Sequence, residues 1–384
     1  MKRTIFSPDH ELFRQQFRRY AEAEVAPHVE RWNRQGISDR EAWRAMGAAG
    51  YLGVAMPEAY GGAGGDFLYA AIVTEELCRI RAHALQVSLH SDICLPYLVS
   101  YTSEAQKERF LRPAISGDKL VAIAMTEPGT GSDLAAVQTR AVRQGDAYVV
   151  DGSKTFISNG QNADLVIVVV KTDPEAQPAR RGISLLLVEA DRPGFSRGRN
   201  LEKLGLKGQD TSELFFSGCR VPAENLLGEE GQGFRYLMEK LQQERLILAV
   251  GSIASCQRSL ADTIAYVKER RAFGRPVATF QNTQFTLAEL ATEVQVGQTF
   301  IDQLMVAHAR GESLVTEVSM AKLWVTELQK RLTSRCLQLF GGYGFMDEYP
   351  ISADYADAAV QTIYGGTSEI MKLIIARQLG LDDK

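Results

Sequence analysis

The segment GFRYLMEKLQQERLILA, residues 233–249, sets a glutamate among leucines. Leu237, Leu241 and Leu248 recur at helical spacing, and Glu244 projects within about 40° of their mean direction at ~100° per residue. A carboxylate in line with an apolar stripe is costly to bury without a partner. It is either half of a buried ion pair, with Arg245 as one candidate partner, or a general base whose pKa an apolar pocket raises. A second stretch, IYGGTSEIMKLIIAR (Ile363 to Arg377), reads as a tight turn at Gly365 and Gly366 feeding a helix striped by Ile370, Leu373 and Ile374.

Four further stretches hold groups that could touch a ligand. AMTEPGTGSD (Ala124 to Asp133) leaves a strand through a glycine loop, with Thr126 and Ser132 as hydroxyl donors. Bare amides in such a loop approach a flat heterocycle or a phosphate closely, although an ordinary strand connection has the same composition. GSKTFISNG (Gly152 to Gly160) offers the face of Phe156 and the hydroxyl of Ser158, with a core phenylalanine as the alternative. KERRAFGRPVATFQNTQ (Lys268 to Gln284) clusters Arg270, Arg271 and Arg275 near Gln281. Arginine forks bind phosphate, and a solvated basic helix end is the plainer reading. QLFGGYGF (Gln338 to Phe345) lacks the preceding strand of a dinucleotide fingerprint and reads as a helix stop.

The elements that must hold these residues fall into three groups. Residues 1–119 are helical: Ser7-Pro8 starts a helix with Phe13, Phe17 and Tyr20 at helical spacing, and Ser103 caps a later one. Residues 120–228 carry short β-rich runs (VAIAM, AYVV, LVIVVV, ISLLLVE, ELFF) between turn signals, which predicts a small antiparallel sandwich or barrel. Residues 229–384 are helical again, with a proline-free run of over forty residues that suggests an antiparallel bundle.

Apolar residues make up 45% and charged residues 23%, ordinary globular values, and the net charge of −4 argues against nucleic-acid binding. Five scattered cysteines signal neither a metal site nor a disulfide framework and suit a reducing cytoplasm. No signal core or membrane-length apolar run stands out, so a cytoplasmic protein that does not enter a membrane is expected.

Taken together and in this order, AMTEPGTGSD, FISNG, RRAFG with Gln281 following, QLFGG and GGTSEI resemble the acyl-CoA dehydrogenase family over nearly the whole chain. The resemblance implies that family's fold: an N-terminal helical domain, a middle antiparallel β-domain and a C-terminal helical bundle. It also implies a homotetramer with one FAD per subunit, α,β-dehydrogenation of an acyl-CoA thioester, and electron transfer to an electron-transferring flavoprotein. By resemblance, Met125, Thr126, Gly131, Ser132, Phe156, Ile157 and Ser158 face the flavin. Arg270, Phe273, Gln281 and the run Gln338, Leu339, Phe340, Gly341 and Gly342 hold the pyrophosphate and adenosine across a dimer interface. Thr367, Ser368 and Glu369 contact the dinucleotide from the final turn. Ser132 also meets the pantetheine arm, Gln242, Arg245 and Gly366 meet the substrate, with Arg245 near its CoA end, and the amide of Gly365 binds the thioester carbonyl.

Most relatives keep a catalytic glutamate in the final turn, where Gly365 stands here. QQERLILA and YGGT resemble instead the long-chain and isovaleryl-CoA dehydrogenase branch, which implies that Glu244 is the base and Gly365 its companion. The rival readings are a flavin oxidase of the acyl-CoA or nitroalkane type and a flavin-binding relative without dehydrogenase activity.

Overall fold

Ser7 accepts the amide of His10 while the His10 ring accepts the Ser7 amide, and this reciprocal cap starts helix α1 (Pro8–Tyr20). The computed structural model describes residues 3–381. Helices α2 (Val29–Gln35), α3 (Arg40–Ala48), α4 (Phe67–Arg79) and α5 (Leu95–Tyr101) follow, then the short α6 (Glu104–Gln106) and α7 (Arg112–Ile115). Wide π-type turns at Ser88–Cys94 and Lys107–Leu111 lead into α5 and α7. Ser103 and Gln106 repeat the reciprocal cap at α6.

Seven strands make one sheet: β1 (Val121–Ala124), β2 (Arg140–Gln144), β3 (Ala147–Ser158), β4 (Leu165–Lys171), β5 (Ile183–Glu189), β6 (Phe195–Asn200) and β7 (Thr211–Pro222). The order is β1-β4-β2-β3-β7-β6, with β5 also paired to β4. Most pairings are antiparallel, but β1 runs parallel to β4, Val121 opposite Leu165. The chain between Ala124 and Leu165, which holds β2 and β3, separates those two strands, so no turn signal announces the parallel pairing. β4 and β5 are buried at every position but their last, as their unbroken aliphatic runs require.

The 37-residue α8 (Gly233–Glu269) crosses the molecule. After the hairpin β8 (Arg271–Ala272) and β9 (Arg275–Pro276) come α9 (Gln281–Ala309), α10 (Val315–Phe340), α11 (Pro350–Gln361) and α12 (Ser368–Gln378). Ile247, Val250 and Ile253 of α8 pack with Leu290 and Ile301 of α9 and Val325 and Leu328 of α10 into one apolar core. Burial on several faces of α8 keeps it helical over a length at which propensity alone would leave its ends frayed. Ion pairs lock the two helical parts together: Arg3 bridges Glu75 and Asp302, and Arg81 bridges Asp262 and Asp354.

Candidate active site

Glu244 lies on the inner face of α8 at 5% exposure, flanked on its stripe by buried Leu237 and Leu241. It has no ion-pair partner at contact distance among the described residues; its hydrogen bond comes from the Tyr97 hydroxyl of α5, 2.7 Å from Oε1. Burial pushes its carboxyl up to about 7, against the opposing pull of that hydrogen bond and of the Arg245 and Lys240 charges. Desolvation therefore wins, and the group can lose its proton near neutrality. The Tyr97 phenol is pushed well above its ordinary value by burial and by Glu244, so it stays a donor.

The next residue turns elsewhere. The Nε of Arg245 donates to the Gly365 carbonyl at 3.1 Å, which ties α8 to the final turn. The Arg245 guanidinium, expected near the CoA end of a substrate, is buried against the turn. Gly365 (φ +65°) and Gly366 (φ +99°) are left-handed. A Cβ at Gly365 would lie 2.5 Å from Leu248 Cδ1, and one at Gly366 2.7 Å from Met371 Cε. The buried Lys322 of α10 donates to the Gly366 carbonyl at 2.7 Å. With both carbonyls engaged, the amide N–H groups of Gly365 and Gly366 have no acceptor among the described residues and are free for a ligand.

Two other expected contacts lie apart from the corner. Gln242 stands two residues, or ~200° of helix rotation, from Glu244. Its carboxamide is saturated by His308, the Glu312 carbonyl and the Leu314 amide. Ser368 is buried and spends both donors inside the protein, its hydroxyl on Glu327 at 2.6 Å and its amide on the Thr362 carbonyl. Thr367 caps α12 by accepting the Ile370 amide, and Glu369 is exposed beside it. Its own amide and the Thr367 hydroxyl hold the Glu369 carboxyl below its usual range.

The loop from Met125 to Ser132 lies against β3. The Thr155 amide donates to the Thr126 carbonyl, and Lys154 Nζ donates to the Met125 carbonyl and to Glu127 at 2.8 Å. Glu127 in turn accepts the amides of Gln138 and Thr139. Lys154 is fully buried, and this desolvation lowers its pKa to about 8 although Glu127 opposes the shift. The register of β3 against β7 shifts between Lys154 and Ile157, and Phe156 in that bulge has φ +59°. The bulge turns Phe156 outward to 67% exposure while Ile157 stays in the sheet core, offering a ligand its backbone alone. Thr126 and Ser158 are half-buried; Gly131 and Ser132 are exposed.

A separate concavity is lined by Tyr266, Arg270, Gln338, Leu339, Phe340, Gly341 and Gly342, among others. Tyr266 stacks on Phe340 at 4.0 Å, and Arg270 lies over the Tyr343 ring at 5.3 Å. Nothing lies within 4 Å of where a Cβ would stand at Gly341 or Gly342. Phe273, at the hairpin tip with φ +49° and 96% exposure, and Gln281, exposed at the start of α9, lie outside the lining.

Sequence reasoning missed Tyr97, Lys154 and Lys322. Lys154 left no trace, standing in the polar run DGSKT where a lysine is expected at the surface. Tyr97 and Lys322 left none either, because their partners lie 147 and 44 residues away.

Known proteins resemble this chain in sequence and fold. Models of the N-terminal, middle and C-terminal domains of acyl-CoA dehydrogenase match residues 7–118, 122–219 and 231–380. The chain is 47% identical over 380 residues to the mitochondrial long-chain specific acyl-CoA dehydrogenase of Mus musculus, covering 99% of this chain and 88% of that protein. It is 36% identical over 379 residues to the mitochondrial isovaleryl-CoA dehydrogenase of Pongo abelii, covering 98% of this chain and 90% of that protein. The crystal structure of an acyl-CoA dehydrogenase from Geobacillus kaustophilus superposes with a TM-score of 0.97 at 51% identity, over 98% of this chain and 100% of that one. On all three domain models and on identity sustained from end to end, the chain belongs to the acyl-CoA dehydrogenase family.

Proposed function

We propose that this oxidoreductase converts an acyl-CoA thioester to the trans-2-enoyl-CoA, with Glu244 as the base and FAD as its cofactor. The observation that carries the reading is the pairing of a buried, ion-pair-free Glu244 with a glycine turn whose amides are free. A base on α8 makes a carboxylate at position 365 unnecessary.

The residues present fit FAD. Phe156 is turned out of its strand beside Thr126 and Ser158, an aromatic face next to hydroxyl donors. Gly341 and Gly342 leave open backbone beside Arg270, which suits a close approach by phosphate. FAD, when bound, supplies the acceptor for the β-hydrogen and its electron pair. Phe273 and Gln281 lie outside the concavity of their own subunit, which supports a cofactor site completed by a second copy. Exposed Phe285, Val296 and Trp324 on α9 and α10 support a dimer-based homotetramer.

The chain's own groups then divide the work. Glu244 takes the α-proton, and its raised pKa makes it a competent base near neutrality. Tyr97 holds that carboxylate in one orientation. The free Gly365 and Gly366 amides cradle the thioester oxygen, where negative charge grows as the proton leaves. Electrons leave to an electron-transferring flavoprotein. Five free cysteines and the lack of a membrane-length apolar helix among the described residues support a cytoplasmic setting.

Anaerobic titration of the purified flavoprotein with straight and branched acyl-CoAs tests this. We expect bleaching of the flavin by at least one member, slow reoxidation by oxygen in the product complex, and fast reoxidation by an electron-transferring flavoprotein. No bleaching by any thioester would overturn the dehydrogenase reading, and fast reaction with oxygen would favour an oxidase.

A further inference from the structure

Lys322 is fully buried on α10, yet no carboxylate lies at ion-pair distance from it among the described residues. The nearest opposing charges are diverted: Glu327 accepts the Ser368 hydroxyl, and Glu369 is exposed at the start of α12. The ammonium donates instead to the Gly366 carbonyl at 2.7 Å. Arg245 does the same at the preceding residue, with Nε on the Gly365 carbonyl at 3.1 Å and no carboxylate paired to it. Two buried cations thus grip successive carbonyls of one turn whose amides point at no acceptor of their own.

Holding a turn does not require this. A neutral amide donor would grip a carbonyl equally well without the cost of burying an unpaired ammonium. A cation is justified where negative charge arrives during function. With Glu244 ionised, the corner holds two buried cations and that carboxylate, with Glu327 and Glu369 also acting on Lys322. When the Cα–H bond breaks, its proton goes to Glu244 and its electron pair into the enolate of the thioester. The negative charge then leaves α8 for the oxygen held at the Gly365–Gly366 turn, which is the turn that Lys322 grips. Arg245 adjoins Glu244 in sequence and so favours the charge both before and after transfer. Lys322 approaches the site through the turn, so it favours the state after transfer.

We propose that Lys322 is a positioning residue for the dehydrogenation. It holds the Gly365–Gly366 amides in place through the Gly366 carbonyl, and its positive charge stabilises the enolate that forms there. This rests on the reading of the Gly365–Gly366 turn as the thioester cradle.

The test uses the oxidised holoenzyme and a 3-oxoacyl-CoA, which ionises to an enolate without any redox step and reports it by charge-transfer absorption with the flavin. Lys322→Gln keeps a donor and removes the charge; Lys322→Arg keeps the charge. We expect Lys322→Gln to raise the pH midpoint of enolate formation by at least about one unit and to slow flavin reduction by an acyl-CoA about tenfold or more, with KM within about twofold of the parent. Lys322→Arg should retain the parental midpoint to within about half a unit. Parental behaviour of Lys322→Gln, or equal losses in both variants, would overturn the proposal, the second because shape rather than charge would then be at stake. Should neither variant accumulate as a folded flavoprotein, the lysine is a folding requirement and the proposal falls. Glu244→Gln separates the two readings. If it turns over normally while Lys322→Gln still shifts the midpoint, the base assignment fails and the role of Lys322 stands.

Discussion

The corner around Glu244 and the open surfaces around Phe156 and, separately, around Gly341 are built on opposite plans. At the corner the charged and phenolic side chains are buried and each is engaged: Tyr97 on Glu244, Arg245 on Gly365, Lys322 on Gly366. On the open surfaces, Phe156 and Phe273 are uncovered, and Gly341 and Gly342 look onto open space. The proton-transfer groups are therefore organised by the packing of one chain. The dinucleotide groups are left for a cofactor and a second copy to organise. Pre-organisation matters most where a charge must be stabilised as it forms, and least where a large ligand brings its own contacts.

Breaking the corner should have the largest effect. Glu244→Gln preserves size and the Tyr97 contact but cannot take a proton. Flavin reduction by acyl-CoA should slow by at least about a thousandfold with the flavin spectrum intact. Stopped-flow reduction near the parental rate would make Glu244 a structural carboxylate and erase the contrast.

On the open surfaces, single contacts should matter less. Arg270→Ala removes one charge-assisted phosphate contact and should weaken FAD retention about tenfold, read as the apoprotein fraction after dilution, while reduction of the flavin that remains bound stays near parental. A loss of reduction rate with full FAD would show that the two regions are not separate.

The finest adjustment is at Tyr97. Because Glu244 titrates at about 7, kcat/KM should rise with pH through an acid limb near that value as the base deprotonates. The Tyr97 hydrogen bond favours the ionised form, so Tyr97→Phe should move the limb to higher pH by less than about one unit. A limb that stays in place would mean the hydroxyl fixes orientation alone.

The sequence was most informative where one residue's environment is set by its near neighbours. Ser7 and Ser103 cap as expected, and LVIVVV and ISLLLVE form strands because burial on both faces demands continuous aliphatics. Strands β2 (RAVRQ) and β6 (FSRGRN) went unread, since their exposed faces carry arginines and glutamine that hide any alternation. Glu244 was legible because leucines four and seven residues apart define its face. Gln242 turns to His308 and the Glu312–Leu314 backbone, partners 66 to 72 residues away that local spacing does not announce. The outward turn of Phe156 depends on a bulge between β3 and β7, a register shift that local composition does not encode.

The empty place at Gly365 has a consequence for how this catalytic corner can change by mutation. Leu248, on the same stripe as Glu244, occupies the room that a side chain at 365 would need, and the left-handed backbone there adds strain for any residue but glycine. A glutamate introduced at 365 in one step would meet both obstacles while the base on α8 still fills its own role. Moving the base from helix to turn therefore needs the flexible end of Leu248 to swing aside and a side chain to tolerate left-handed backbone. The corner resists that move through one yielding contact and one strained dihedral.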